Sequence, residues 1–374
     1  MTRRVLVAIG TRPEIIKMAP VVWALRRRPD TFDVRVLFTG QHRDLLRQHA
    51  AFFELAPDVD LDVMTQGQTL PELTARLVRG VDDVLQSEAP DVVLAQGDTT
   101  TVFAVALGCF YRRIAFGHVE AGLRTPTLYN PYPEEANRRL ATVLTRFHFA
   151  PTAWSADNLK REAIPTDSVY VTGNTVIDTL LWLLDRESQP PRVIADLEGS
   201  ARPIALVTLH RRESFGAPLR EALGALRTLL VARPELVAVY PVHPNPNVSG
   251  PAREVLGDLP NARLVEPLEY GDFIGVMRRA TVCLSDSGGV QEEAPTFGVP
   301  VLVMRDTTER PEGVEAGVTR LVGTQADRIV GEALRLVDDP EARAAMRTAV
   351  NPYGDGRASE RIADVLATAP LELQ

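Results

Sequence analysis

Twelve short apolar, β-branched runs alternate along this chain with amphipathic helical stretches, in two sets of six. The first set lies at 4–9, 34–38, 91–96, 113–117, 147–150 and 169–172. The second lies at 204–209, 237–242, 262–266, 281–285, 300–304 and 319–322. Helical periodicity is plainest at 13–28, 69–87, 99–110, 134–145, 218–232, 269–279, 326–337 and 357–368. Strand and helix alternating at this spacing predict parallel sheets flanked by helices. A polar, proline-containing stretch at 186–203 separates the sets and reads as a linker. The expected architecture is α/β, with two Rossmann-like domains, 1–180 and 200–354, facing each other across a cleft. In such folds ligands bind beyond the carboxyl ends of the strands.

The residues at those strand ends are unusual for a packing role. The first run leads into Gly10-Thr11-Arg12-Pro13-Glu14, the third into Gly97-Asp98-Thr99-Thr100, and the fourth into His118-Val119-Glu120. In the second half, runs end at His210-Arg211, His243-Pro244 and Asp286-Ser287-Gly288-Gly289. One such residue is a helix cap or a turn. Six strand ends carrying charge or imidazole point to one shared site. Asp98, Glu120 and Glu134 are candidate acid/base carboxylates, and His210 and His243 are strand-end imidazoles. Arg12, Lys17, Arg211 and Arg310 are candidate anion holders. Glu134 and Glu135 also suit a helix N-terminus, where negative charge complements the dipole. His42 and His49 read as surface or turn residues, and His148 as a structural histidine.

The passage TVCLSDSGGVQEEAPTF (281–297) carries the plainest binding chemistry. A buried strand ends in Ser287-Gly288-Gly289 and a helix follows. Bare backbone N–H groups at a glycine-rich helix start face an anion, most often phosphate. Glu293 lies one turn inward, about 6 Å along the axis. That spacing suits a diphosphate joined to a ribose. A plain, well-capped strand-to-helix turn would use the same residues.

Composition removes several classes. With 374 residues there is room for two or three domains. A net charge of −8 argues against bulk nucleic-acid or anionic-membrane binding. No run approaches the ~20 apolar residues of a membrane span, and the N-terminal apolar run is too short for a secretory signal. Cys109 and Cys283 sit in apolar surroundings and read as buried thiols. Only Lys17 and Lys160 are lysines among 41 basic residues, which draws attention to Lys17, one turn beyond Arg12 on the same helix.

Motifs for other chemistries are missing. No GxGxxG turn, P-loop, or G-x-S-x-G elbow occurs. His118-Val119-Glu120 matches the H-x-E of zinc deaminases, but no Pro-Cys-x-x-Cys follows. The expectation is therefore no metal and no cofactor.

Ten strings then carry a resemblance: GTRPEIIKMAPVV (10–22), QGDTTT (96–101), HVEAGLRT (118–125), PYPEEANRR (131–139), GNTVIDTL (173–180), HRRESFG (210–216), PVHPNPNV (241–248), DSGGVQEEAP (286–295), VMRDTTERPE (303–312) and NPYGDGRAS (351–359). In this order, over the whole chain, they resemble the UDP-N-acetylglucosamine 2-epimerase family, non-hydrolysing bacterial type. The resemblance implies a glycosyltransferase-B type fold in which the last segment, 355–374, packs back on the N-terminal domain. It implies reversible epimerisation at C2 of UDP-N-acetylglucosamine to UDP-N-acetylmannosamine, through elimination of UDP and a 2-acetamidoglucal. Asp98, Glu120, Glu134 and His210 would be catalytic. Arg12, Lys17, Phe273, Ser287, Gly288, Gly289, Glu293 and Arg310 would hold UDP. Gln41, His42, Gln68 and Arg211 are similar to an activator site for a second UDP-N-acetylglucosamine. Asp44 and Gly67 stand where some members carry larger polar groups. A cytoplasmic homodimer acting in polysaccharide biosynthesis, with no nucleic-acid or membrane partner, completes the expectation. Two other activities use a similar UDP site. One is a glycosyltransferase of the same fold, and the other is a hydrolysing 2-epimerase that releases N-acetylmannosamine.

Overall fold

The structure is a computed structural model that describes residues 2–40, 49–65, 67–186, 191–211, 214–347 and 351–372. The chain divides into two compact units, Met1–Trp182 with Tyr353–Gln374, and Leu183–Pro352. Each is a parallel sheet of Rossmann type, the architecture of glycosyltransferase-B proteins.

The first unit contains β1 (Arg3–Ile9), β2 (Phe32–Phe38), β3 (Val59–Asp60), β4 (Val92–Gln96), β5 (Ala115–Val119), β6 (Phe147–Ala150) and β7 (Val169–Val171). Their order is β3-β2-β1-β4-β5-β6-β7, every pairing parallel. The two-residue edge strand β3 is additional to the six runs visible in the sequence; two residues cannot display a period. In β1, Val5 to Ile9 are all buried, because helices cover both sheet faces. The order reverses between β1 and β4. That is the switch point where parallel sheets open a crevice for ligands.

The second unit contains β8 (Ile204–Thr208), β9 (Val237–Pro241), β10 (Ala262–Val265), β11 (Val282–Ser285), β12 (Val301–Val303) and β13 (Thr319–Leu321). Their order is β10-β9-β8-β11-β12-β13, again all parallel, so the switch point lies between β8 and β11. Leu223, Leu226 and Leu229 of helix Ala217–Ala232 pack with Leu284 and Leu302 in its core. Shortening one of these leucines to alanine costs roughly 2–5 kcal/mol.

The polar segment read as a linker is partly packed. Arg192–Leu197 is a 3-10 helix with Ile194 and Leu197 buried. Arg263 grips Asp196 with two nitrogens, at 2.7 and 2.6 Å.

The last helix, Ala358–Thr368, is counted in the first unit and packs on helix Arg12–Arg26. Asp178 caps its start, accepting the backbone N–H groups of Ala358 and Ser359 at 3.2 and 2.8 Å. Arg3 donates to the carbonyls of Leu366 and Ala369 at its end, at 2.6 and 2.7 Å. Both helix ends, which leave backbone groups without intrahelical partners, are therefore satisfied by the first unit. No helix among the described residues is long and apolar enough to cross a membrane. Cys109 and Cys283 are buried free thiols.

Candidate active site

In the first unit the turn after β1 is held very tightly. A side-chain carbon on Gly10 would come within 2.4 Å of the Thr101 hydroxyl and 2.8 Å of the Thr39 hydroxyl, so only glycine fits. Helix Arg12–Arg26 starts at once, with Pro13 in its first turn, where a missing N–H is harmless. Arg12 is thereby placed half-buried at the switch point. Glu14 folds back under this turn and accepts the Gly10 N–H. Burial pushes its carboxyl up to about 7, against hydrogen bonds from Gly10, Thr99 and Thr11 that favour the charge.

The three predicted carboxylates lie on adjoining elements. Asp98 follows β4, Glu120 follows β5, and Glu134 opens helix Glu134–Leu144. Asp98 Oδ2 accepts from Arg138, and the Asp98 carbonyl accepts from Asn137 at 2.9 Å, so that helix is tied to the β4 turn. Behind Arg138 sits Glu135, wholly buried, bonded to Arg138 at 3.2 Å, Arg139 at 2.8 Å and the Thr125 N–H at 3.1 Å. Of the two glutamates at this helix start, Glu135 is thus the structural one.

Glu120 is buried, with a φ of 66°. A left-handed backbone is uncommon for a non-glycine residue and tends to occur at functional sites. Its Oε1 pairs with Lys17 Nζ at 2.7 Å, and its Oε2 accepts from the Gln96 amide. Lys17, expected to hold an anion, is bonded to this carboxylate in the structure. His118 supports the β4 turn from beneath. Burial pulls its imidazole down to about 4, and the neutral ring donates Nε2–H to the Gly97 carbonyl at 2.7 Å. His118 is therefore a brace, and His148, bonded to the Thr142 and Ser168 carbonyls, is another. His49, expected at the surface, is 2% exposed; the described helical residues, 49–52, are too few to show a sequence period.

In the second unit, β8 and β11 end side by side, with Thr208 and Ser285 in register and their hydroxyls hydrogen-bonded. Beyond them Asp286, wholly buried, accepts the backbone N–H groups of His210 and Arg211, both at 2.9 Å, and meets His210 Nδ1 at 3.0 Å. The His210 ring remains 43% exposed. The His243 ring lies 6.1 Å away, its imidazole pulled down by burial and by the nearby His210.

The helix after Ser287 is Gly288–Glu293, six residues long. So short a helix adds little summed dipole, and the backbone N–H groups themselves are what it offers an anion. Gly288 packs against a guanidinium: a side-chain carbon there would lie 2.4 Å from Arg310 Nη1. Arg310 is bonded to Glu292 and Glu309, both at 2.6 Å. Glu309 also meets Arg211 at 3.0 Å and Arg305 at 2.9 Å. Burial opposes its charge, but Arg310, Arg211 and Arg305 together hold its carboxylate far below the usual range. Arg310 thus backs the helix mouth, with its charge met by Glu292 and Glu309. Glu293 is buried and accepts from the Tyr270 hydroxyl at 3.0 Å. Tyr270 opens the helix that carries half-buried Phe273.

The expected activator residues fall in three parts of the chain. Gln41 and His42 lie outside the described residues. Gln68 belongs to the first unit, in a turn with Thr65 and Arg76, and Arg211 belongs to the second. The supporting residues Gln96, Arg138, Asp286 and Glu309 were not singled out by sequence reasoning. Each lies within or beside a quoted string, but nothing in a string separates a holder from the residue held.

Comparison with known proteins identifies the family. The sequence model of UDP-N-acetylglucosamine 2-epimerase matches residues 24–367. The UDP-N-acetylglucosamine 2-epimerase of Salmonella typhimurium is 48% identical over 376 aligned positions, covering 99% of this chain and all of that one. A crystal structure of the Neisseria meningitidis UDP-GlcNAc 2-epimerase bound to UDP-GlcNAc superposes with a TM-score of 0.92 at 44% identity, covering 97% of this chain and 99% of that one. The S. aureus MnaA–UDP co-structure gives 0.91 at 42% identity, covering 98% and 96%. With full-length identity of this order and two Rossmann units whose charged residues gather at both switch points, the chain belongs to the UDP-N-acetylglucosamine 2-epimerase family.

Proposed function

We infer that this protein interconverts UDP-N-acetylglucosamine and UDP-N-acetylmannosamine without hydrolysing them. The observation that carries this is the set Asp98, Glu120 and Glu134 on adjoining elements, two of them fixed by cationic partners. The C2 proton of the sugar is barely acidic, since no carbonyl adjoins C2. Removal is feasible if the C1–O bond breaks as the proton leaves. The C2–H electron pair forms the C1=C2 bond of 2-acetamidoglucal, and the C1–O pair departs with UDP. A proton then adds to the opposite face of C2 as a UDP oxygen rejoins C1. Two faces call for at least two carboxyl groups, and the first unit offers three.

The second unit supplies the other half of the chemistry. Negative charge grows on the departing diphosphate, and donors already in place stabilise it without reorganising. Gly288 and Gly289 offer backbone N–H groups, backed by Arg310; Ser287, whose own N–H is bonded to Ser285 Oγ at 2.9 Å, offers its hydroxyl, and His210 offers its ring. Glu293 and Phe273 would meet the ribose and uracil. Arg12 would add charge from the first unit, with Lys17 acting through Glu120. UDP-N-acetylglucosamine would also be the activator, at Gln41, His42, Gln68 and Arg211. The same reading carries a cytoplasmic homodimer, open to sedimentation and cell fractionation.

Incubation with UDP-N-acetylglucosamine alone in heavy water tests the activity. Two UDP-sugar epimers with deuterium at C2 are expected. Free N-acetylmannosamine would indicate the hydrolysing reaction, and no change without an acceptor would overturn the reading in favour of transfer.

A further inference from the structure

The hydrogen bonds of Asp286 cross the switch point of the second sheet, from the end of β11 to the end of β8. Its two oxygens have separate tasks. Oδ2 accepts both backbone N–H groups, of His210 and Arg211, and so fixes the path of the turn. Among the described residues, Oδ1 is bonded to the His210 ring, at Nδ1. A carboxylate accepts and cannot donate, so the proton between them belongs to Nδ1. Nε2 is then the ring nitrogen whose proton can come and go. The carboxylate is buried while the ring is 43% exposed, so the ring presents Nε2 to whatever occupies the site.

We propose that Asp286 is a positioning residue for the epimerisation, acting through His210. It fixes the Nδ1–H tautomer and balances the charge the ring gains when Nε2 is protonated. This rests on the reading that His210 meets the leaving diphosphate. As the C1–O bond breaks, a cationic ring lies opposite the growing negative charge, and the Asp286 carboxylate stabilises that cation from behind.

Asp286→Asn is the discriminating change. The amide oxygen can keep the two backbone contacts, while the amide N–H faces Nδ1 and forces it to accept. The ring proton then moves to Nε2 and the ring stays neutral. A donor to phosphate remains; the balanced positive charge does not. Nitrogen-15 NMR of the His210 ring in the full chain reads the tautomer directly. The neutral ring should carry its proton on Nδ1 in the wild type and on Nε2 in Asp286→Asn. Turnover should fall about 10²-fold, the scale of a lost acid/base contribution, with KM changed only a few-fold.

His210→Ala separates the two ideas. Impaired turnover in His210→Ala, with no further loss on adding Asp286→Asn, supports the proposal. If His210→Ala leaves turnover and UDP affinity intact, the role of His210 itself fails. If His210→Ala is impaired but Asp286→Asn turns over normally, the proposal alone is overturned. An equal loss from Asp286→Asn in both backgrounds would make Asp286 a support of the turn only, and overturn it as well. Should the variant not fold, an Nε2–H tautomer in the wild-type ring is enough to refute it.

Discussion

Arg138 meets one oxygen of Asp98 with two nitrogens: Nε at 2.9 Å and Nη2 at 2.6 Å both point at Oδ2. The Asp98 side chain stays partly exposed. The guanidinium is itself held by buried Glu135, so the direction of the Asp98 carboxyl is set from two layers behind.

Arg138→Lys should therefore lower turnover about 10-fold or more, since an ammonium cannot reproduce a fork of donors. Asp98→Asn, Glu120→Gln and Glu134→Gln should each cost about 10²-fold or more. UDP affinity should stay nearly intact in all four. Rates from proton NMR of the two UDP sugars, with calorimetric UDP titration, check both halves. Near-normal rates in all three carboxyl variants would remove the proposed chemistry.

Arg12→Ala and His210→Ala should weaken UDP binding directly, by about 1.5–3 kcal/mol for each lost charged hydrogen bond. Lys17→Ala should act differently. Its partner is Glu120, so turnover should suffer more than UDP affinity. Calorimetry on the three variants distinguishes the patterns; a Lys17→Ala loss as large as that of Arg12→Ala would return Lys17 to the diphosphate.

Gly288→Ala tests the helix mouth. The added methyl would press on Arg310, whose guanidinium cannot swing away without leaving Glu292 and Glu309. UDP affinity should fall at least about 10-fold, the value of one charge-assisted bond, while the far-ultraviolet circular dichroism stays unchanged. Unaltered affinity would place the diphosphate elsewhere.

Glu14 predicts a pH dependence of stability. Its carboxyl is raised to about 7 in the folded protein. Below the ordinary glutamate range it is protonated whether folded or not. Between there and about pH 7 the unfolded chain releases the proton and the folded chain keeps it, so stability falls as pH rises. The whole effect is about 3 kcal/mol. Glu14→Gln should remove this part of the slope. Urea unfolding at pH 5 and pH 8 would show the variant gaining on the wild type at the higher pH, and equal slopes would discount the effect.

The strands were legible because they are buried on both faces and read as continuous apolar runs. The Val59–Asp60 strand was too short to read. Helix Pro246–Leu256 was masked by its own composition: Asn245 caps it, Pro246 opens it and Pro251 lies inside it, all residues that otherwise signal turns. Strand-end position alone picked out Asp98, Glu120 and His210. What a sequence cannot display is which partner a charge takes. Lys17 stands one turn from Arg12 and reads as its companion, yet it bonds to Glu120, 103 residues away. Asp286 reads as a turn residue, and its bond to His210 spans 76 residues. Such pairings exist only once β1 lies beside β4, and β8 beside β11.

The last helix has a consequence for how the protein is made. Asp178 and Arg3 both wait for backbone groups in Ala358–Thr368, which leave the ribosome after the entire second unit. The second unit is in effect an insertion within the first, and its strands can pair while the first is still missing a piece. During synthesis the first unit therefore stays unfinished until after the second has emerged, and a chain cut before Ala358 lacks a piece of the unit that was made first.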